Sequence, residues 1–361
     1  MARKFNFSAG PSTLPLSVLQ GLQNSMVEHD NAGMSLIEAS HRSKQYDAVH
    51  NRTIELLGEL LSVPATHQIL LLGGGATLQF AMVPMNFLPQ GASCDLAHSG
   101  AWAKKALGDA KKVGNVRLAF DGSAADFMTL PLQEELSLDP KAAYFHLTSN
   151  ETIGGVQWKE FPDSGDVPIV ADMSSDIMSR PFSFDKFGLI YAGAQKNLGP
   201  AGVTVVIIRK DMLDRCPDSL PAYLNYKTHA ESNSLYNTPP VFSINAMRLV
   251  LEWVKAEGGL AEFDDRSRAK SALLYDTIEH SDGFYTNPVD PRFRSTMNVV
   301  FRMSSEELEK QFISQATAAG LDGLKGHRSV GGCRASIYNA MPMEGVEALA
   351  QFMREFAKNN R

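Results

Sequence analysis

The sequence predicts an α/β protein: a large domain on a mostly parallel seven-stranded sheet covered by helices, followed by a small C-terminal α+β domain. Three observations carry this expectation. From about residue 15 to 250, short apolar runs alternate with helix-patterned stretches. Several of those runs are continuously apolar and bounded by Gly, Pro or polar residues, as in strands covered on both faces. After a Pro-rich connection, Tyr236-Asn-Thr-Pro-Pro240, the pattern changes to a long helical stretch and a strand, helix, strand, helix tail.

The elements follow in order. Pro15 marks a helix start, and residues 16–28 place apolar side chains at 16, 19, 22 and 26, the spacing of one helical face. A longer amphipathic helix is expected over 43–61. The strands are expected at 68–72, 92–97, 116–120, 143–148, 167–171, 189–192 and 203–208, enough for one doubly covered sheet. The helical stretch from 243 to about 280 breaks at Gly258-Gly259, between two domains. The tail reads as a strand at 297–302, a helix at 304–319, a strand at 334–337 and a helix at 344–358. The large domain is therefore expected over 15–255, and the small one over 256–361 together with 1–14.

Composition narrows the function. The 361 residues are 44% hydrophobic and 20% charged, which excludes disordered and fibrous classes. Lys and Arg number 34 against 40 Asp and Glu, a net charge of −6, so there is no basic footprint for nucleic acid. An anionic substrate must be captured locally by a few convergent cations. Cys94, Cys216 and Cys333 are widely separated, without a CxxC pair or a His cluster at metal spacing, so neither a disulfide framework nor a metal site is expected. No apolar run suits a signal peptide or a membrane span, so a cytoplasmic protein without membrane partners is expected.

Three segments carry chemistry. In Leu70-Leu-Leu-Gly73-Gly-Gly-Ala76-Thr77-Leu-Gln79-Phe80 an apolar strand runs into three glycines and a helix pattern, which aims backbone N–H groups and a positive helix end at a phosphate. The spacing is neither GxGxxG nor a Walker sequence, and a tight turn explains it equally well. In Val167-Pro-Ile-Val-Ala-Asp172 a carboxylate ends a buried-looking strand, where α/β sheets bind ligands. In Tyr191-Ala-Gly-Ala-Gln195-Lys196-Asn-Leu-Gly199-Pro200 a lysine follows a strand among small residues, with room for a planar ligand. Pyridoxal phosphate satisfies all three: phosphate at the glycines, ring nitrogen at Asp172, aldehyde at Lys196. Lys196 would then also shuttle the substrate proton.

A series of blocks in the same order carries a resemblance. Phe5-Asn-Phe-Ser-Ala-Gly-Pro11, Ser40-His-Arg-Ser43, Ser149-Asn-Glu-Thr-Ile-Gly-Gly155, Gly193-Ala-Gln-Lys196-Asn, Tyr236-Asn-Thr-Pro-Pro240, Gly326-His-Arg328 and Arg334-Ala-Ser-Ile-Tyr-Asn-Ala-Met-Pro342 resemble the phosphoserine aminotransferase family of class-V aminotransferases, from residue 5 to past 340. The resemblance implies the type I pyridoxal-phosphate-dependent transferase fold, a homodimer with shared active sites, and ping-pong transamination. The partners would be L-glutamate and 3-phosphohydroxypyruvate, giving phosphoserine and 2-oxoglutarate, with a phosphorylated threonine analogue as a further substrate in pyridoxine synthesis. It implies that Lys196 and Asp172 are catalytic. Ala76 and Thr77 would hold the cofactor phosphate, Trp102 would stack on its ring, Thr152 would meet its phenolic oxygen, and Gln195 would lie beside the lysine. Asn237 and Thr238 would reach the phosphate of the neighbouring subunit. Arg334 would grip the substrate α-carboxylate, with His41, Arg42, His327 and Arg328 as the distal anion site, His41 and Arg42 entering from the partner subunit.

Plainer readings stand beside these. Trp102 alone reads as core, and His41 and His327 alone read as surface histidines. The charges of 304–310 read as a solvated helix face without a role. Cys333 would be the nucleophile of a cysteine desulfurase, a pyridoxal-phosphate relative, but beside Gly331-Gly332 it reads better as a small packed side chain. A non-catalytic phosphate- or nucleotide-binding protein would need the glycine loop and not Lys196.

Overall fold

The computed structural model describes residues 3–361. All seven expected strands form, within one or two residues of the expected ends. They are β1 (His67–Leu72), β2 (Ser93–His98), β3 (Asn115–Asp121), β4 (Phe145–Thr148), β5 (Ile169–Asp172), β6 (Phe187–Gly193) and β7 (Thr204–Arg209). They make one sheet in the order β1, β7, β6, β5, β4, β2, β3. Strand β7 runs antiparallel to both neighbours, and the other adjacent pairs are parallel.

Among the described residues, eight helices have ten or more residues: α1 (Leu16–Ser25), α2 (Lys44–Leu61), α3 (Gly75–Phe87), α4 (Ala101–Val113), α5 (Val241–Ala256), α6 (Gly259–Glu279), α7 (Glu306–Ala318) and α8 (Met343–Asn360). Alternation along the strands explains how the sheet is covered twice. Ile69, Leu71, Ile190, Ala192, Val205 and Ile207 join the cluster under α1, α2 and α5. Their neighbours Leu70, Leu72, Leu189, Tyr191, Val206 and Ile208 join the cluster under α3 and α4. Period-two side chains thus feed two apolar layers, which is why these strands read as unbroken hydrophobic runs.

The tail has its own core. Strands β8 (Asn298–Phe301) and β9 (Cys333–Ser336) pair antiparallel, and Val299, Phe301, Phe312, Ala335, Ile337, Leu349 and Met353 pack with Leu274 of α6. Phe7 belongs to this cluster and is fully buried. Phe5–Asn6 pairs parallel with Leu321–Asp322, a two-residue ladder too short to show as a pattern. From there the N-terminal segment runs to the large sheet, where the Ser12 N–H donates to the Gln195 carbonyl at 3.0 Å and the Ser12 hydroxyl to the Lys196 carbonyl at 2.5 Å.

One expectation is corrected. The 304–310 stretch is not uniformly a solvated face, because Glu309 is buried and accepts from the Arg302 guanidinium at 2.8 Å. Its donors, Arg302, Met303 and Gly332, all lie outside the helix, where a helical-face pattern cannot register them.

Removing Phe7 should loosen the anchor of the segment beside Lys196. Phe7→Ala is expected to lower unfolding free energy by ~3–5 kcal/mol in denaturant titration, the range for deleting a buried phenyl ring; a loss under ~1 kcal/mol would contradict the anchoring.

Candidate active site

Parallel strands deliver their C-terminal ends to one edge of the sheet, and the site is built there. Past β1, Gly73, Gly74 and Gly75 turn the chain into α3, whose first turn contains Ala76 and Thr77. Gly74 has φ +87°, and a Cβ there would lie 2.4 Å from the Leu78 side chain, so only glycine serves. The first-turn amides of α3 have no acceptor within their own helix, leaving donors for an anion. Past β2, Gly100 leads into α4 with Trp102 in the first turn. Past β4 come Glu151 and Thr152, past β5 ends Asp172, and past β6 come Gln195 and Lys196.

Lys196 is buried, and its Nζ donates to Thr152 Oγ1 at 2.6 Å. The same nitrogen lies 5.4 Å from the Trp102 ring centroid. Burial lowers the amine to about 8, against the opposing pull of Asp172 and Glu151, while Arg334 adds to the lowering. Asp172 is buried too, and its Oδ1 accepts the Ser174 N–H at 2.9 Å. Burial raises its carboxyl, partly offset by the Lys196 charge and the Ser174 hydrogen bonds. The chain is fixed on both sides of the lysine. Gln195 folds back over Gly193, where a Cβ would lie 2.6 Å from Gln195 Oε1. Asn197 donates to the Ile177 carbonyl at 3.1 Å and accepts the Asn339 N–H at 3.0 Å.

The tail contributes Arg334. From β9 its guanidinium donates to the Thr152 carbonyl at 3.3 Å, while its Nε is buried without a partner. His327 sits at the head of the preceding hairpin, its Nδ1 2.7 Å from the Ser329 hydroxyl. Burial and the nearby Arg334 and Arg328 charges lower its pKa. Arg328 is exposed beside it.

Two predicted groups bond to each other. His41 Nδ1 is 3.3 Å from the Thr238 hydroxyl, and the Asn237 amide donates to the Thr238 carbonyl at 3.1 Å. Arg42 is exposed next to them, just before Ser43, whose hydroxyl caps α2 by accepting the Tyr46 N–H. Asn237 and Thr238 share a cavity of about 270 Å³ with Gly73, at the mouth of the glycine turn.

Sequence reasoning missed Glu151. This buried carboxylate accepts the Ala103 N–H at 2.9 Å and the Trp102 N–H at 3.0 Å, capping α4. A Cβ at residue 100 would lie 2.6 Å from Glu151 Cδ, so Gly100 admits the cap. Burial raises Glu151 to about 7, against the lowering by the two amides. A carboxylate preceding Thr152 gave no signal, since its partners are reached only when α4 docks.

The residues present fit pyridoxal phosphate. A buried amine and a buried carboxyl face one centre without an ion pair between them among the described residues. Trp102 Nε1 and Arg334 Nε are orphaned polar atoms at the same centre. The sulfur reading lacks a nucleophile, because burial holds the Cys333 thiol well above its ordinary value.

Between pH 4.5 and about 7 the folded chain keeps a proton on Glu151 that the unfolded chain has released, so the stability it contributes falls as pH rises through that window. The stability advantage of the wild-type chain over Glu151→Gln, measured by denaturant unfolding without cofactor, is therefore expected to shrink from pH 4.5 to 7. Parallel curves would contradict the raised carboxyl.

The sequence matches the family model described as aminotransferase class-V over residues 4–349. It is 53% identical over 358 residues to the phosphoserine aminotransferase of Geobacillus kaustophilus (strain HTA426), with 99% of each chain covered. Phosphoserine aminotransferase from Bacillus circulans subsp. alkalophilus superposes with a TM-score of 0.98 at 52% identity, again covering 99% of each chain. A PLP-bound phosphoserine aminotransferase from Trichomonas vaginalis superposes with a TM-score of 0.93 at 39% identity, covering 98% of this chain and 100% of that one. The architecture is the type I fold of pyridoxal-phosphate-dependent aminotransferases, and the chain belongs to the class-V aminotransferase family.

Proposed function

We propose that this chain is a phosphoserine aminotransferase that uses pyridoxal phosphate to move the amino group between L-glutamate and 3-phosphohydroxypyruvate, giving O-phospho-L-serine and 2-oxoglutarate. The observation that carries this reading is the meeting of the buried Lys196 amine with the buried Asp172 carboxyl at the strand ends, in a chain 53% identical to a named phosphoserine aminotransferase. The 4-phosphorylated hydroxythreonine analogue has the same charged groups and is a second candidate substrate.

When bound, pyridoxal phosphate supplies an aldehyde that exchanges amino groups and a ring that withdraws electrons. Lys196 would hold the aldehyde and Asp172 the ring nitrogen. Trp102 would cover the ring, and Thr152 and Gln195 would lie at its edge. Ala76 and Thr77 would hold the phosphate, together with Asn237 and Thr238. Lys196, with its amine lowered to about 8, is suited to take and return the proton at the substrate Cα near neutral pH. The Asp172 carboxylate keeps positive charge favourable beside it, and the Glu151 cap holds Trp102 in place. Arg334 would grip the α-carboxylate, held in orientation by the Thr152 carbonyl. His327 and Arg328, with His41 and Arg42, would take the distal anion, a phosphate or a γ-carboxylate, because a guanidinium fork suits either.

His41 and Arg42 are proposed to act in the site of a second copy, in a cytoplasmic homodimer. Leu16, Leu19, Met26, Val27, Met34 and Ile37 are exposed apolar side chains, with Val27 81% exposed, on the stretch that leads to them. Such a patch suits self-association. It precedes His41 in the chain, and His41, Thr238 and Asn237 are themselves joined by hydrogen bonds into one group that would cross the boundary. The large domain over 15–255 would carry the cofactor, and 256–361 with 1–14 the substrate side.

Assay of amino transfer from glutamate to 3-phosphohydroxypyruvate tests the activity directly. Lys196→Ala is expected to lose ~10²–10⁴-fold or more in kcat, and an active variant would refute the mechanism. Arg42→Ala and Arg328→Ala are each expected to raise KM for phosphorylated substrates ~10–100-fold, the loss of a charged hydrogen bond of ~1.5–3 kcal/mol, with cofactor absorbance intact. Mixing and re-associating Lys196→Ala with Arg42→Ala should restore activity in hybrid dimers; no recovery would place Arg42 in its own chain's site.

A further inference from the structure

We propose that Arg302 and Glu309 form a positioning clamp that sets the hairpin of residues 326–332, and through it His327 and Arg328, for recognition of the distal anion of the substrate. The proposal rests on the reading above that this hairpin binds that anion.

Glu309 leaves α7 toward the hairpin, with its side chain only 7% exposed. Oε1 accepts Arg302 Nε at 2.8 Å and the Met303 N–H at 3.3 Å, while Oε2 accepts the Gly332 N–H at 3.1 Å. Arg302 passes the connection on, donating from its other end to the Val330 carbonyl at 2.6 Å. The hairpin is therefore gripped at residue 330 by the cation and at residue 332 by the anion. Within the hairpin, the Val330 and Gly331 amides donate to the His327 carbonyl at 3.0 and 2.9 Å, and the Gly326 N–H donates to the Gly332 carbonyl at 2.9 Å. A shift at 330–332 must accordingly be felt at His327.

Sterics point the same way. Gly332 has φ +69°, and a Cβ there would lie 2.4 Å from Arg302 Cδ, so the backbone is pressed onto the arginine stem. On one side the hairpin borders open space. A cavity of about 180 Å³ lies beside it, lined among others by Met128, Ile153, Val300 and Val330, with His327 and Arg334 at its wall. With open volume on that side, the polar clamp is the side-chain contact that ties the tip of the loop to α7, while its base is held by the Lys325–Cys333 β-bridge. Neither clamp residue bonds Lys196 or Asp172, and the Arg302 guanidinium spends its Nε on Glu309 and its Nη1 on Val330.

A clamp that only stabilised the tail would change unfolding and leave the kinetics of the folded enzyme alone. A positioning clamp changes substrate recognition. In the holoenzyme, Glu309→Gln is expected to raise KM for 3-phosphohydroxypyruvate about tenfold, with kcat and cofactor absorbance within about twofold of wild type, tenfold corresponding to about 1.4 kcal/mol. Amide hydrogen exchange at Gly326 and Gly332 should accelerate in the same variant. Arg302→Lys keeps the charge and cannot reach Glu309 and Val330 together, so an intermediate rise is expected; it also serves if Glu309→Gln does not fold. In Glu309→Gln/Arg328→Ala, KM should be no higher than in Arg328→Ala alone, because one acts through the other. Unchanged KM in Glu309→Gln and Arg302→Lys, with a raised KM in Arg328→Ala, overturns the clamp and spares the anion site. Additive effects in the double variant overturn it as well. Unchanged KM in Arg328→Ala overturns the anion-site reading and the clamp with it.

Discussion

Desolvation of the Lys196 amine beside the Asp172 carboxyl is the constraint around which the site is arranged. Burial alone would drive both groups to their neutral forms, the amine downward and the carboxyl upward. Each opposes that drift in the other, because the charge on either stabilises the charge on its neighbour. The outcome is an amine near 8 in place of one fully protonated at neutral pH, held on Thr152 and not locked in an ion pair. A lowered amine is not by itself the mark of a working lysine; its place at the carboxyl ends of parallel strands and its uncommitted donors are. Lys270 makes the contrast: burial lowers it to about 7, yet its three donors are consumed by the carbonyls of Ile337, Tyr338 and Met341, so it staples the tail.

The two cores divide the work physically. The parallel sheet brings the segments for a planar, phosphorylated cofactor to one edge, and the strands that carry them are packed on both faces, so the first turns of α3 and α4 are rigid supports. The tail brings guanidinium groups to the same edge on an antiparallel hairpin, where Arg334 meets the Thr152 carbonyl. Thr152 therefore joins the halves: its hydroxyl receives Lys196 and its carbonyl receives Arg334. The N-terminal segment makes a second connection, since Phe7 packs in the tail core while Ser12 bonds the backbone of Gln195 and Lys196.

Legibility from sequence followed the range of the interactions. The seven strands were readable because each is apolar on both faces, and Asp172 and Lys196 because each directly follows such a run. The glycine turn before Ala76 and Thr77 was readable as a turn, whereas its aim at a ligand depended on the companion signals. His41, Arg42, Asn237 and Thr238 came from resemblance alone, and the bonds that gather His41, Thr238 and Asn237 join segments 197 residues apart, which no periodicity could predict. Glu151 and Glu309 were illegible for the same reason as each other. A carboxylate in a polar string or on a charged helix face reads as solvated, and only the arrival of α4, or of Arg302 and Gly332, buries it. The pairing of Phe5–Asn6 with Leu321–Asp322 joins chain ends too far apart for any local pattern.

Borohydride reduction of the purified protein reconstituted with pyridoxal phosphate, followed by peptide mass analysis, addresses the central claim most directly. A single phosphopyridoxyl mass on the peptide containing residue 196, absent when that lysine is replaced, is the predicted result. A label on a different lysine, or a protein that cannot be labelled at all, would contradict the assignment of the amine.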